Sequence, residues 1–459
     1  MFATTIALAA SFALALALTP LAGRLARRVG ALDHPLTGRK SHATAVPRIG
    51  GLAIAAAFLG GTSLAALAAG PAIQGQRLVA IALAGIFIVA VGAVDDMRGM
   101  APRLKLLAQV AAAALVWAGG LRIEAIASPF GDPLPLGGLA LPFTLLFLVG
   151  AMNAMNLIDG LDGLAGGIAA VAAAAAVAVG VRRGDPVLAV TGAAVAGACL
   201  GFLRHNLRPS SIFMGDSGSL FLGLVLAASS IPVAGQAAQG TELLAPVVAL
   251  GVPVLDTAMA LFRRAARGAP IFWGDREHLH HRLVSIGLSP RRAMAALVAA
   301  GAVHAGFAVA IAGATGAQVA LLLAAIALLD LAGLRAIGYL RPGVIDRLIA
   351  ERRRYAVLRF AVRVAATRLK DARSLEEVQA VLDGAAPAIG ASRARILSSN
   401  GPRVGRGGSL TRHGLRGERP GGGSLEFRWN RSRAGLDRPT EMAAEMLSAR
   451  VAVAVRRLS

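Results

Sequence analysis

The stretch NAMNLIDGLDGLAGG places four oxygen-bearing side chains at the end of an apolar segment. Asn153 and Asn156 are three residues apart, so they share one face of a helix end. Asp159 and Asp162 continue this spacing, and the intervening glycines loosen the backbone so that all four can face one space. Amide and carboxylate oxygens are the hard ligands that Mg²⁺ prefers, together with water and substrate phosphate. Helix capping is the alternative, but it explains the presence of only one of these four side chains.

Two further stretches carry carboxylates next to apolar segments. In GAVDDMRGM, Asp95 and Asp96 are adjacent, and neighbouring carboxylates repel each other unless a cation or a proton relieves them. In SSIFMGDSGSLFLG, glycines flank Asp216 at the start of the next apolar segment, where free N–H groups at a helix N-terminus favour phosphate. These patterns predict metal or proton chemistry at Asp95 and Asp96, and a metal that bridges a phosphate at Asp216. Helix termination and N-capping remain the alternatives.

Basic residues and histidines occur in two other loops. The loop DHPLTGRKSHATAVPRIGG contains Lys40 and His42, and its adjacent arginine and lysine suit a phosphate. The longest polar loop ends in DREHLHHRL, whose histidines are spaced too closely for a HExxH zinc site. We therefore interpret this loop as an anion-binding pocket formed by Arg276, His278, His280 and His281. Asp256, within an apolar segment, is costly in a membrane and is predicted to be functional.

The elements that hold these residues are predicted to be membrane helices. The chain has 459 residues, of which 56% are hydrophobic and 16% charged. Apolar runs near twenty residues recur along it, as spanning helices require, and the short alternating strands of a barrel are missing. We expect an all-α polytopic protein with about eleven spans. Their approximate positions are 2–20, 49–69, 77–94, 104–123, 136–155, 163–181, 186–203, 217–235, 242–262, 293–312 and 317–338.

Loop charge predicts the orientation. Up to residue 338, one set of alternating loops carries about 18 Lys and Arg and the other about 4. The positive-inside rule then places the N-terminus outside, the C-terminus inside, and every motif described above on the cytoplasmic face. The net charge of +22 is attributed to such loops and anionic lipid rather than to nucleic acid. One site assembled from several loops follows from this distribution.

The last part of the chain differs in composition. We predict a transmembrane domain over 1–340 and a small cytoplasmic α+β domain over 341–459, with basic helices, a glycine- and arginine-rich middle and one strand, SLEFRW. This tail resembles a degenerate GAF-like domain and is expected to have a regulatory or interaction role.

The five motifs in this order resemble the polyprenyl-phosphate N-acetylaminosugar-1-phosphate transferases of glycosyltransferase family 4. The similarity covers roughly residues 1–340, and HLHHRL is similar to the branch that uses UDP-N-acetylglucosamine. The resemblance implies a phosphotransferase for substituted phosphate groups in the bacterial plasma membrane. It would transfer N-acetylglucosamine-1-phosphate from UDP-N-acetylglucosamine to undecaprenyl phosphate or a related polyprenyl phosphate and release UMP. This is the first membrane step of cell-envelope polysaccharide synthesis, for example of lipopolysaccharide.

The resemblance also implies roles for the residues and a cofactor. Asn156 and Asp216 would bind Mg²⁺, with Mn²⁺ as a substitute, and Asp95, Asp96 and Asp216 would be catalytic. The residues that would bind the nucleotide sugar and its diphosphate are Lys40, His42, Asn153, Asp159, Asp162, Arg276, His278, His280 and His281. A homodimer is also suggested.

Two other functions are considered. A transporter would place its polar groups near the midplane between repeats, whereas here they cluster at one face. A membrane anchor for a sensory tail would not need the intact set of candidate ligands.

Overall fold

The architecture is taken from a computed structural model of the chain. The structure describes all residues except 34–44, 71–72, 74, 127–132, 208, 235–243, 270–276, 341–342, 398–409, 415–423, 430–437 and 459. By their internal contacts, the residues form two compact units. One comprises Met1–Ala260 and Gly274–Tyr339, and the other comprises Leu261–Trp273 and Leu340–Ser459.

Within the described residues, eight helices are long and apolar enough to cross a membrane. They include α1 (Phe2–Val29), α2 (Gly51–Ala69), α3 (Gly75–Arg98) and α5 (Ala140–Ile158, preceded by a 3-10 turn). The others are α6 (Leu164–Arg183), α7 (Pro186–Asn206), α12 (Pro290–Ile311) and α13 (Ala317–Ala336). The prediction of a mostly helical, polytopic protein is therefore confirmed.

The remaining three predicted spans are helical but shorter. They correspond to α4 (Pro102–Ala118), α8 (Gly215–Ser229) and a segment broken into α9 (Leu244–Ala249) and α10 (Gly251–Arg267). A 15-residue helix such as α8 extends only about 22 Å, less than the roughly 30 Å of a bilayer core. Residues 217–229 of α8 are all buried by other helices, so this short helix is shielded from lipid. The number of crossings and the orientation stay predictions.

Small residues allow the helices of the first unit, Met1–Ala260 and Gly274–Tyr339, to approach closely. We call this unit the membrane unit. A side chain at Gly197 of α7 would lie 2.2 Å from the carbonyl oxygen of Leu8 in α1. A side chain at Gly51, the first residue of α2, would lie 2.0 Å from the backbone nitrogen of Gly218 in α8. These contacts require glycine, and they explain why glycine and alanine are abundant in this chain.

Short strands and a short helix complete the membrane unit. The strands β1 (Leu32–Asp33) and β2 (Val46–Pro47) pair antiparallel, as do β3 (Ala125–Ile126) and β4 (Leu134–Pro135). The segment after β2 is fixed to the segment before α8, because Gly50 N–H donates to Phe213 at 3.0 Å and Phe213 N–H donates to Pro47 at 2.8 Å. The helix α11 (Leu279–Ser285) precedes α12.

The second unit contains helices and one sheet. The helices are α14 (Val344–Asp371), α15 (Leu375–Ala388) and α16 (Arg438–Leu458), and the strands are β5 (Ala391–Leu397), β6 (Leu410–Gly414) and β7 (Ser424–Trp429). The strands form an antiparallel sheet in the order β5-β7-β6. Leu425, Phe427 and Trp429 alternate along β7 and are buried, as expected for a strand with one face in a core. Of these strands only β7, with its alternating apolar residues, was predicted from the sequence. The GAF-like resemblance stays a prediction.

Candidate active site

The Asp96 carboxylate holds the N-terminus of α8. Its Oδ1 accepts the backbone N–H of Asp216 at 2.9 Å, and its Oδ2 accepts both the N–H and the hydroxyl of Ser217, at 3.1 and 2.8 Å. A side chain on Gly215 would lie 2.4 Å from this carboxylate, and the φ of +72° there also favours glycine. A carboxylate at the positive end of a helix is stabilised by the free N–H groups and the helix dipole. Asp96 is thereby fixed in place and buried.

The ammonium group of Lys105 lies between two carboxylates. Its Nζ is 2.5 Å from Asp216 Oδ2 and 3.1 Å from Asp95 Oδ2. The other oxygen of Asp95 accepts the N–H of Met100 at 2.6 Å, which orients the carboxylate at the end of α3. The three charged groups come from α3, α4 and α8, and the ammonium relieves the repulsion between the two carboxylates.

Asn156 connects α5 to this group. Its Nδ2 donates to Asp216 Oδ1 and, at 2.9 Å, to the hydroxyl of Ser219. Ser219 in turn donates to the carbonyl of Gly215 at 3.1 Å. The structure thus brings Asn156 and Asp216 into direct contact, although they are 60 residues apart.

Asn153, one turn earlier on α5, makes a different contact. Its amide exchanges hydrogen bonds with the amide of Gln109 in α4, at 2.7 and 3.4 Å. Asn153 Nδ2 also donates to the carbonyl of Val149 at 2.8 Å. Gln109 is one turn after Lys105, so this pair fixes α4 against α5 and supports the position of the lysine.

Asp159 directly follows the last residue of α5 and is half-buried. Burial of the carboxyl, followed by the negative charges of Asp216, Asp96 and Asp162, raises its pKa from 3.8 to about 7. A carboxyl with this pKa can give up or accept a proton near neutral pH. Asp162, by contrast, lines a separate cavity of about 250 Å³ beside Leu207 and the start of α12.

The segment that contains His278, His280 and His281, here called the histidine loop, contacts Asp256 and Gly160. His278 Nδ1 is 2.9 Å from Asp256 Oδ2, and the N–H of Leu279 donates to the other oxygen of Asp256 at 2.8 Å. His280 is buried against Gly160, where a side chain would lie 2.3 Å from its Nε2. Burial, and then the proximity of His281, lowers the pKa of His280 to about 4, so this ring is neutral at pH 7. His281 is exposed.

Three predicted site residues, Lys40, His42 and Arg276, lie outside the residues that the structure describes. Lys105, Gln109 and Ser219 were not predicted from the sequence. Lys105 and Gln109 carry a signal that could have found them, since they are polar residues four apart on one face of a helix that was predicted to span the membrane.

The site lies where helix ends meet. Asp95 and Asn156 are near the C-terminal ends of α3 and α5, whereas Lys105 and Asp216 are in the first turns of α4 and α8. Antiparallel helices bring these ends to the same end of a bundle. Four carboxylates, Asp95, Asp96, Asp159 and Asp216, are accompanied by Lys105 and by Arg48, whose Nη2 is 3.5 Å from Asp96 Oδ1. The excess of carboxylates favours a cation.

The oxygen donors suit a hard cation only in combination with other ligands. Within the described ranges, no group of three or more His, Cys, Asp or Glu side chains is arranged to hold a metal ion. Asn156 presents its Nδ2 to Asp216, so a metal shared by the two requires a half-turn of the amide. Mg²⁺ commonly takes only one or two carboxylates and completes its shell with water and substrate phosphate, and this donor set fits that pattern.

The chain is similar to known proteins of one family. The family model described as Glycosyl transferase family 4 matches residues 78–234. A probable undecaprenyl-phosphate N-acetylglucosaminyl 1-phosphate transferase of Bacillus subtilis is 34% identical over 292 residues, covering 63% of this chain and 80% of the relative.

Two further relatives extend the comparison. A decaprenyl-phosphate N-acetylglucosaminephosphotransferase of Mycobacterium tuberculosis is 36% identical, over 58% of this chain and 72% of its own length. An undecaprenyl-phosphate alpha-N-acetylglucosaminyl 1-phosphate transferase of Yersinia pestis is 29% identical, over 63% and 80%. The resemblance inferred from the motifs is confirmed. The chain therefore belongs to glycosyl transferase family 4, as a multi-pass membrane transferase of the glycosyl-1-phosphate type.

Proposed function

We propose that this protein transfers N-acetylglucosamine-1-phosphate from UDP-N-acetylglucosamine to a membrane polyprenyl phosphate and releases UMP. The observation that carries the proposal is the contact of Asp95, Lys105 and Asp216 at one end of a membrane helix bundle. A lipid phosphate and a water-soluble nucleotide sugar can meet only at such an end. The names of the relatives, which act with undecaprenyl or decaprenyl phosphate, support the lipid acceptor.

The reaction requires charge and position more than covalent chemistry. An oxygen of the lipid phosphate forms a bond to the β-phosphorus of the nucleotide sugar. The bond from that phosphorus to the bridging oxygen breaks, and its electrons leave with UMP. The attacking phosphate monoester is already largely ionised at pH 7, so a general base is not needed for it. The chain must instead orient two anions and stabilise their charge.

Lys105 and the histidines have separable roles in this reaction. The Lys105 ammonium, oriented by Asp95 and Asp216, stabilises negative charge on the reacting phosphates. His280 is neutral at pH 7 because its pKa is lowered to about 4, so it contributes a hydrogen bond rather than a charge. Asp159 and Asn153 line the approach of the nucleotide, and Asp96 keeps Asp216 in place through the α8 backbone.

A magnesium ion belongs to the same proposal. Asp216 and, after rotation of its amide, Asn156 would hold it, and Mn²⁺ would be a substitute. When bound, the ion neutralises charge on the diphosphate of the nucleotide sugar. We further propose that the site faces the cytoplasm from the bacterial plasma membrane, because the loop charges of the sequence predict the basic loops on the same side as the site residues.

The proposal is tested with the purified full-length protein in detergent or nanodiscs. A panel of UDP-sugars is incubated with polyprenyl phosphate, and UMP and the lipid product are both measured. We expect activity with UDP-N-acetylglucosamine, and loss of it by at least a hundredfold in Asp216→Asn at unchanged thermal stability. Asp371→Asn, which changes an exposed carboxylate of α14, is the matched control. Transport of the nucleotide sugar without formation of UMP, or an unaffected Asp216→Asn, would contradict the proposal.

A further inference from the structure

The helix α14 of the second unit is apolar on two opposite sides. One side packs into the core of the unit through Leu358, Val362, Ala365 and Leu369. On the opposite side, Val357, Phe360 and Val364 have the same helical spacing but are 65%, 64% and 38% exposed. We call these three residues the α14 patch. A helix needs one apolar side to pack on its own domain, so the second side indicates a further contact.

Basic side chains surround the α14 patch. Arg353, Arg363 and Arg368 are exposed, and each is one helical turn from a residue of the patch. Within the described part of the chain, none of these three arginines forms an ion pair. The carboxylates on this side of α14, Asp346 and Asp371, are confined to its first turn and its last residue. The surroundings of the patch therefore carry positive charge that nearby carboxylates do not compensate.

The chain keeps α14 close to a bilayer. The helix α13 is long and apolar enough to cross a membrane and ends at Ala336, and α14 begins at Val344. The seven residues between them place the start of α14 within about 29 Å of the end of α13, even when fully extended. A surface tethered at this distance meets a high local concentration of lipid headgroups, so a weak attraction is sufficient to hold it there.

Other occupants match only part of this surface. The segments 398–409, 415–423 and 430–437, whose structure is not described, contain six arginines and two acidic residues, so their charge has the same sign as that around the patch. A second copy of α14 would bring like charges together. Nucleic acid would match the charge but not the two valines. An anionic bilayer offers both acidic headgroups and an apolar interior.

We propose that the α14 patch docks on the anionic surface of the bilayer, with its apolar side chains at the boundary of headgroups and acyl chains and with Arg353, Arg363 and Arg368 at the phosphates of acidic lipids. The helix then lies along the plane of the membrane. The inference does not depend on the proposed transferase reaction, since none of these residues belongs to the candidate active site.

The test places a nitroxide label beside the patch in the full-length protein. Ala356→Cys, at an exposed position on the same side of α14, is labelled in a Cys199→Ala background, which removes the one native cysteine. Collisions of the label with a neutral nickel chelate in the water are measured by electron paramagnetic resonance. The protein is in nanodiscs of phosphatidylcholine, with or without phosphatidylglycerol. We expect phosphatidylglycerol to lower the collision rate at least about twofold.

The matched control for the label is Ala380→Cys in the same background. Ala380 is an exposed alanine of α15 in the same unit, and it lies outside α14. Its collision rate with the nickel chelate should be the same in both kinds of nanodisc. The pair of labels therefore distinguishes docking of α14 from a general effect of the lipid on the protein.

Two variants separate the apolar from the charged contribution. Phe360→Asp should abolish the protection of the label by phosphatidylglycerol, because it places a carboxylate at the acidic surface. The double variant Arg353→Gln and Arg363→Gln should abolish it as well, because the attraction to acidic headgroups is weakened. Arg450→Gln, at an exposed arginine of α16, is the matched control and should retain the protection. The Tm of each variant shows that it is folded.

Three results would overturn the proposal. One is a collision rate at position 356 that is equal in the two kinds of nanodisc. Protection in both lipids that survives Phe360→Asp would show that another segment of this chain, or a second copy, covers the patch. Release of the label from the bilayer by an added RNA oligonucleotide at physiological salt would show that nucleic acid is the preferred partner.

Discussion

Asp256 and His278 form a buried pair in which the carboxylate of a membrane helix is 2.9 Å from the ring Nδ1. The same carboxylate accepts the N–H of Leu279 at 2.8 Å, so it also fixes the backbone at the start of α11. A hydrogen bond donated from Nδ1 leaves Nε2 of the neutral ring as the free acceptor. Asp256 therefore fixes both the position and the tautomer of His278, the histidine that the family resemblance assigns to the diphosphate.

Asp256→Asn should lower transferase activity about tenfold to a hundredfold, because an amide cannot fix the same tautomer while it also accepts from Leu279. KM for the nucleotide sugar should rise as well, since the ring of His278 is no longer held by the carboxylate. The matched control is Asp330→Asn, which removes the carboxylate 3.2 Å from His304, a second His–Asp pair between α12 and α13. We expect the control to retain activity within about twofold; equal losses in both variants would assign Asp256 to general stability instead.

Lys105→Met should reduce kcat by about a hundredfold to a thousandfold, because it removes the positive charge held between Asp95 and Asp216. The two carboxylates would then face each other without a counter-charge. Added Mg²⁺ should therefore raise the Tm of this variant by more than it raises that of the wild type, as measured by differential scanning fluorimetry. Arg103→Gln, an exposed change on the same helix, should leave kcat and the Mg²⁺ response unchanged. The same Mg²⁺ response in all three proteins would argue against a cation position between these carboxylates.

The site residues that could be predicted from the sequence are polar residues near the ends of apolar runs. Among these, the structure places Asn156 against Asp216 and His280 against Gly160. Lys105 was interpreted only as the start of a span, because its two partners are distant in sequence and depend on how α3, α4 and α8 pack. The helix α5 ends at Ile158, and Asp162 lies beyond it and lines the cavity beside Leu207. Its place in the nucleotide pocket stays a prediction.

Asp159 should make stability depend on pH. Its pKa is raised from 3.8 to about 7. Between these two pH values the carboxyl of Asp159 is protonated in the folded protein and ionised in the unfolded chain. The contribution of Asp159 to the free energy of unfolding is fully present below about pH 4 and is lost as the pH rises towards 7. Asp159→Asn should remove this dependence and raise Tm relative to the wild type at pH 8, by an amount that shrinks at pH 5. The difference has an upper bound of about 4 kcal/mol, reduced by the partial exposure of the residue.

The measurement for this prediction is a series of Tm values between pH 5 and pH 8.5 for both proteins. Asp346→Asn, a change at an exposed carboxylate in the first turn of α14, is the control. A constant difference between wild type and Asp159→Asn over the whole series would show that the carboxyl of Asp159 does not titrate near neutrality.

Gly160→Ala tests whether the segment NAMNLIDGLDGLAGG and the histidine loop act as one site. The new Cβ would lie 2.3 Å from His280 Nε2, so the ring must move away, at a typical cost of about 1–3 kcal/mol in stability. We expect KM for the nucleotide sugar to rise while the protein remains folded, measured by steady-state kinetics alongside Tm. Gly150→Ala is the matched control, because it lies in α5 with no atom within 4 Å of the added methyl group, and a helical alanine should stabilise slightly. If Gly160→Ala binds the nucleotide sugar as the wild type does, His280 is not part of the nucleotide-sugar site.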